Sequence, residues 1–120
     1  MHAKLTYAAF GWLTFTGVAH FLIDVLSQHF RGKRVPGAET MLYYGLHSAF
    51  ALGQVLFGLL CLWIAHRHPG FLADRAVAAL ALVAAVGWAA ISFVFMEYWQ
   101  PKMNIGIFVV LLGAAIATAR

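Results

Sequence analysis

Residues 40–65, TMLYYGLHSAFALGQVLFGLLCLWIA, run for 26 positions without an aspartate, glutamate, lysine or arginine. About 20 predominantly apolar residues cross ~30 Å of hydrocarbon as a helix, so this segment reads as a membrane span. Working outward, residues 5–28, 74–98 and 101–119 are apolar over similar lengths. None alternates as a barrel strand would, and in lipid each backbone amide must be satisfied within its own segment, so all four are expected to be helices. The expected fold is an all-α polytopic membrane protein: one transmembrane domain over residues 1–120, a four-transmembrane-helix bundle. Composition agrees, with 63% hydrophobic residues, 10% charged residues and a mean hydropathy of +0.84. These values lie outside the soluble globular range and leave no room for a soluble domain.

The breaks between spans carry turn chemistry. SQHFRGKRVPGAET (27–40) contains Gly32, Pro36 and Gly37, and HRHPGFLADR (66–75) contains Pro69-Gly70. The third connection is tight and leads into Pro101, which is tolerated in a first helical turn because its missing donor would be unpaired there anyway. The last two helices are therefore expected to be antiparallel neighbours. Lys4 before an apolar run has the outline of a signal peptide, but the run is too long and no clean cleavage site follows, so a helix is expected.

Lys4, Arg67, Arg75 and Arg120 fall on the side of the termini, and Arg31, Lys33, Arg34 and Lys102 on the other. This four-to-four balance leaves orientation unassigned by the positive-inside rule; the even span number places both termini in the cytoplasm as the working expectation. A balanced count also fits a dual-topology homo-oligomer. The single cysteine, Cys61, excludes an internal disulfide and a CxxC redox pair. The pI of about 9.7 comes from cations scattered at membrane borders, where they meet anionic head groups, so no nucleic-acid role is assigned. His66 and His68 are read the same way.

Helices in lipid associate through close contact, which small residues permit. Gly45, Ala49 and Gly53, and again Ala81, Ala85 and Ala89, recur every four residues and are expected contact faces. Tyr43, Tyr44, Tyr98 and Trp99 fall where an interfacial aromatic belt would sit.

Against this apolar background GVAHFLIDVL (17–26) places His20 and Asp24 one helical turn apart. His47 enters the second span from the same side; at ~1.5 Å per residue both histidines lie roughly 10 to 12 Å below that surface. Tyr44, His47, Ala51, Gln54 and Gly58 step by three and four along an inward face, while Glu97 and Asn104 flank the third connection. A charge facing lipid near the bilayer centre costs roughly 2.5 kcal/mol or more, so these groups are expected to converge inside the bundle.

His20, Asp24, Tyr44, His47, Gln54 and Glu97 form the candidate ligand site, and His20, Asp24, His47 and Glu97 a candidate metal site. Imidazole and carboxylate suit a transition metal such as zinc, copper or iron. Two facing histidines suit haem, and a histidine held by an aspartate suits acid–base work. The competing reading is that Asp24 pairs with His20 or Arg31, and His47 bonds a backbone carbonyl, only to hold the helices in register.

GVAH (17–20), Glu39 leading into MLYYGLHSAFALGQVLFGLL (41–60), then Tyr98 and Pro101 before a short last span, resembles a group of small four-span bacterial inner-membrane proteins. The resemblance covers nearly the whole chain and implies a bacterial four-helix bundle without implying an activity. Small multidrug exporters share the size, but their mid-membrane glutamate in the first span has no match. The expected function is a small accessory subunit of a larger membrane complex, contacting membrane lipids and other subunits or a second copy, and binding lipid or quinone in the polar cleft. The alternatives are a metal- or haem-binding redox protein or acid–base enzyme using His20, Asp24 and His47, and a dual-topology transporter.

Overall fold

The computed structural model describes residues 1–119; Arg120, counted above on the terminal side, lies outside the described residues. Four helices long and apolar enough to span a membrane make up the chain: α1 (His2–Phe30), α2 (Ala38–Arg67), α3 (Arg75–Phe95) and α4 (Gln100–Ala117). A 3₁₀ turn, Phe71–Ala73, lies between α2 and α3, and no strand occurs among the described residues.

The helix ends follow from local chemistry. Gly32 takes φ 59°, and its N–H and that of Lys33 donate to the His29 and Gln28 carbonyls, the five-to-two and six-to-one bonds respectively that close a helix on a left-handed glycine. Asp74 caps α3 by accepting from the N–H groups of Ala76 (2.8 Å) and Val77 (3.2 Å). Pro101 sits in the first turn of α4, as its missing donor allows. The expected third span ran to residue 98, but α3 stops at Phe95: Met96 turns to an extended conformation and is itself buried. The run Phe93–Met96 is apolar throughout, so nothing in its pattern marks that break.

α1 is central, packing on α2 along one side and α4 along the other, and α3 packs on α4 as the tight connection requires. Phe10 joins the layers, its ring centroid 5.8 Å from Phe108, 6.0 Å from Phe71 and 6.1 Å from Phe57, while Trp88 on α3 reaches Phe57 at 5.5 Å. This aromatic core fills the half of the bundle towards the termini. There the two ring nitrogens of His2 face the carbonyls of Ala115 (2.8 Å) and Pro69 (3.1 Å), either of which can accept its N–H, and so hold three segments level. The α1–α2 hairpin therefore outruns the shorter α3–α4 hairpin at the opposite end, and the molecule is 51 Å long. Outward faces carry Phe15, Leu56, Trp63, Val83, Phe93 and Val110, a lipid-facing surface.

The small-residue stripes divide. Ala81 and Ala85 are buried against the core with Ala89 beside them, as expected. Gly45 and Ala49 are exposed instead, and a Cβ at Gly45 would touch nothing. The close α1–α2 crossing falls one helical face away, at Gly58 and Gly17. A Cβ at Gly58 would run into the Thr14 hydroxyl and lie 3.1 Å from the Phe10 carbonyl; one at Gly17 would lie 2.9 Å from Val55. The Gly58 approach is permitted because Thr14 turns its hydroxyl back onto the Phe10 carbonyl (2.8 Å), which also satisfies the polar group within its own helix.

Candidate functional site

The polar half of the bundle is organised by α1. His20 is 6% and His47 1% exposed, and the two rings stack with centroids 4.9 Å apart. His20 Nδ1 lies 2.9 Å from Asp24 Oδ2, and His20 Nε2 lies 2.8 Å from His47 Nδ1. A carboxylate can only accept, so His20 Nδ1 carries hydrogen and donates to Asp24. In neutral His20 the Nε2 is then an acceptor, His47 donates from Nδ1, and His47 Nε2 is left bare. A proton taken up at His47 Nε2 can be passed from His47 Nδ1 to His20 Nε2. It then rests on a His20 imidazolium facing Asp24, with His47 neutral in its other tautomer. The three residues form a hydrogen-bonded chain with the geometry of a proton relay.

Local winding assists the alignment. In an α-helix each four-residue step drifts about 40° round the axis. Leu22–Ser27 is π-helical, and this wider winding keeps His20, Asp24 and Gln28 nearer one line. No residue pattern in LIDVLS announces a π segment. Arg31, the other partner considered for Asp24, is occupied instead with the Ser27 hydroxyl at 2.9 and 3.1 Å.

Asp24 and His47 line a cleft of about 460 Å³ with Gln28, Arg34, Tyr43, Met96, Glu97 and Tyr98. On the other side His20 and Asp24 border a smaller cavity of about 250 Å³ with Tyr98, Pro101 and Asn104. Tyr98, expected as an interfacial anchor, leaves the helix and folds inward: its ring is parallel to His20 at 6.5 Å, and its hydroxyl lies 3.4 Å from His47 Nδ1. Burial, reinforced by Asp24 and Tyr43, pushes the Tyr98 phenol well above its usual range, so it remains a neutral donor.

The structure brings some of the expected site residues together and sets others apart. Ligand atoms of His20, Asp24 and His47 all lie within 4.8 Å of one another. Glu97 is exposed on the rim of the cleft and stands apart from that group. Tyr44 points aside to His29 (5.8 Å), and Tyr43, four rather than three residues before His47, takes the inward place with its ring 4.1 Å from His47. Gln54 faces inward as expected but lines neither cavity. It is 3% exposed against Gly17, and its Nε2 has no hydrogen-bond partner among the described residues. Removing an unpaired buried donor relieves its desolvation penalty of about 1 to 3 kcal/mol. Gln54→Met is therefore expected to leave stability unchanged or raised in detergent unfolding, with ligand binding at the cleft unaffected.

A haem between the histidines does not fit. Each axial metal–imidazole bond is about 2 Å, which places opposed nitrogens about 4 Å apart with the macrocycle between them. Here the nitrogens are 2.8 Å apart and the rings are stacked.

No protein-family model, no curated protein and no solved structure matches the chain. The fold and the polar cluster are what the chain itself supplies for a functional argument.

Proposed function

We propose that the chain is a bacterial inner-membrane protein that holds the polar head of a membrane-soluble ligand, a lipid or a quinone, over the Asp24–His20–His47 relay. The observation that carries this reading is that Asp24 and His47 line one cleft with neutral Tyr98, while buried His20 joins the two by hydrogen bonds. The site offers hydrogen bonds and a mobile proton to a carbonyl or ester oxygen, while the ligand's tail stays in lipid. The exposed Gly45–Ala49 stripe supports an accessory role, because it leaves a close-packing surface for a helix of another subunit.

The test is titration of the purified protein with a short-chain ubiquinone and a short-chain phospholipid, followed through tryptophan fluorescence. Saturable binding of at least one is expected, weakened about tenfold in His47→Ala, the loss of one strong hydrogen bond. Absence of saturable binding by both would overturn the reading.

A second reading rests on the close grouping of the His20, Asp24 and His47 ligand atoms. His20, Asp24 and His47 would together hold zinc or copper, which would supply Lewis-acid or redox chemistry at the cleft. Metal analysis separates the two: stoichiometric zinc lost in both His20→Ala and His47→Ala supports the metal site, and its absence after zinc loading removes it.

A further inference from the structure

Arg34, Gln28 and Tyr43 form a closed set that does not use the relay. The Arg34 guanidinium carbon lies 3.3 Å from the Tyr43 ring centroid, and Arg34 Nε donates to Gln28 Oε1 at 3.1 Å. Gln28 Nε2 in turn donates to the Tyr43 hydroxyl at 3.2 Å. An arginine on an exposed loop is ordinarily free to rotate, but this one is stacked and bonded so that its terminal amino groups remain free at the cleft. No carboxylate among the described residues lies within salt-bridge distance of it. Guanidinium groups held in this way recognise phosphate or carboxylate oxygens through paired N–H donors.

The other charges on the cleft narrow the ligand. Asp24 is committed to His20, and Glu97 stands exposed on the rim. One preorganised cation and one free carboxylate on a single cleft complement a zwitterion. Position is compatible with this: Arg34 lies beyond the end of α1 in the first connection, whereas His47 lies within α2, so a head group over Arg34 would leave its ester carbonyls towards His47.

We infer that the cleft takes the head of an aminophospholipid of the phosphoethanolamine type, Arg34 holding the phosphate and Glu97 the ammonium. The inference rests on the ligand-binding reading above and names its ligand class. A quinone would leave Arg34 unpaired, a choline head has no N–H to give Glu97, and a glycerol head has no cation for it.

The experiment titrates the purified protein in detergent with short-chain phosphatidylethanolamine, phosphatidylcholine and phosphatidylglycerol, reading tryptophan fluorescence. Arg34→Gln and Glu97→Gln are the variants, both on exposed residues and so compatible with folding. Phosphatidylethanolamine is expected to bind about tenfold more tightly than the other two; Arg34→Gln weakens all three about tenfold, and Glu97→Gln removes the preference. Equal affinities for the three lipids, or an unchanged affinity in Arg34→Gln, would overturn the inference. If ubiquinone binds and phosphatidylethanolamine does not, this inference falls while the ligand-binding reading stands; if neither binds, both fall. Competition by soluble glycerophosphoethanolamine would support a site for the head group alone, and its failure beside bound lipid would support a site for the intact lipid.

Discussion

His20→Leu is expected to cost about 3 kcal/mol of stability, because it strands a carboxylate at the membrane border. Asp24 lies 2.9 Å from His20 Nδ1, and leucine returns neither a charge nor a donor. The double variant His20→Leu/Asp24→Leu is expected to recover most of the loss, since it removes the uncompensated charge along with its partner. Ligand binding is expected to stay impaired in both, which separates the relay's function from its contribution to folding. Equilibrium unfolding in mixed detergent micelles of the parent protein, both variants and the single variant Asp24→Leu completes the cycle. Additive single-variant costs would mean that His20 and Asp24 are not coupled.

The second large effect is expected at Gly58. Leucine there must displace Thr14 and the Phe10 backbone at the α1–α2 crossing, and overpacking of this kind costs about 1 to 3 kcal/mol or more. Gly58→Leu is thus expected to lower the unfolding midpoint sharply, whereas Gly45→Leu, whose Cβ meets nothing, leaves it unchanged. Equal effects at the two glycines would contradict the crossing geometry.

The pair of glycines also shows what the sequence discloses. Span number, span limits within a few residues and the inward face of His47, Ala51, Gln54 and Gly58 follow from hydropathy and helical periodicity, because lipid exposure and burial are written in residue type. Gly45, Ala49 and Gly53 repeat more regularly than the pair that makes the close α1–α2 crossing, yet of the three only Gly53 faces another helix, at Trp88. Spacing along one helix gives its possible faces, and only the partner helix selects among them. Tyr43 and Tyr44 are indistinguishable by composition; the four-residue step to His47 places the first inward. Tyr98 depends on a helix break that the apolar run through Met96 conceals, and Arg34 on a stack with Tyr43 across the first loop. The convergence of His20, Asp24 and His47 was legible because a polar group in lipid has few inexpensive places to go. The direct His20–His47 bond was not, since it depends on the depth and rotation of two helices at once.

The relay is tested most directly by nitrogen-15 NMR of the protein labelled at its histidine rings. A coupling transmitted across the hydrogen bond between His47 Nδ1 and His20 Nε2 is expected, with hydrogen on His20 Nδ1 and none on His47 Nε2 in the neutral state; Asp24→Asn is expected to disturb this arrangement. Two uncoupled rings, each sampling its tautomers independently and unchanged in Asp24→Asn, would contradict it.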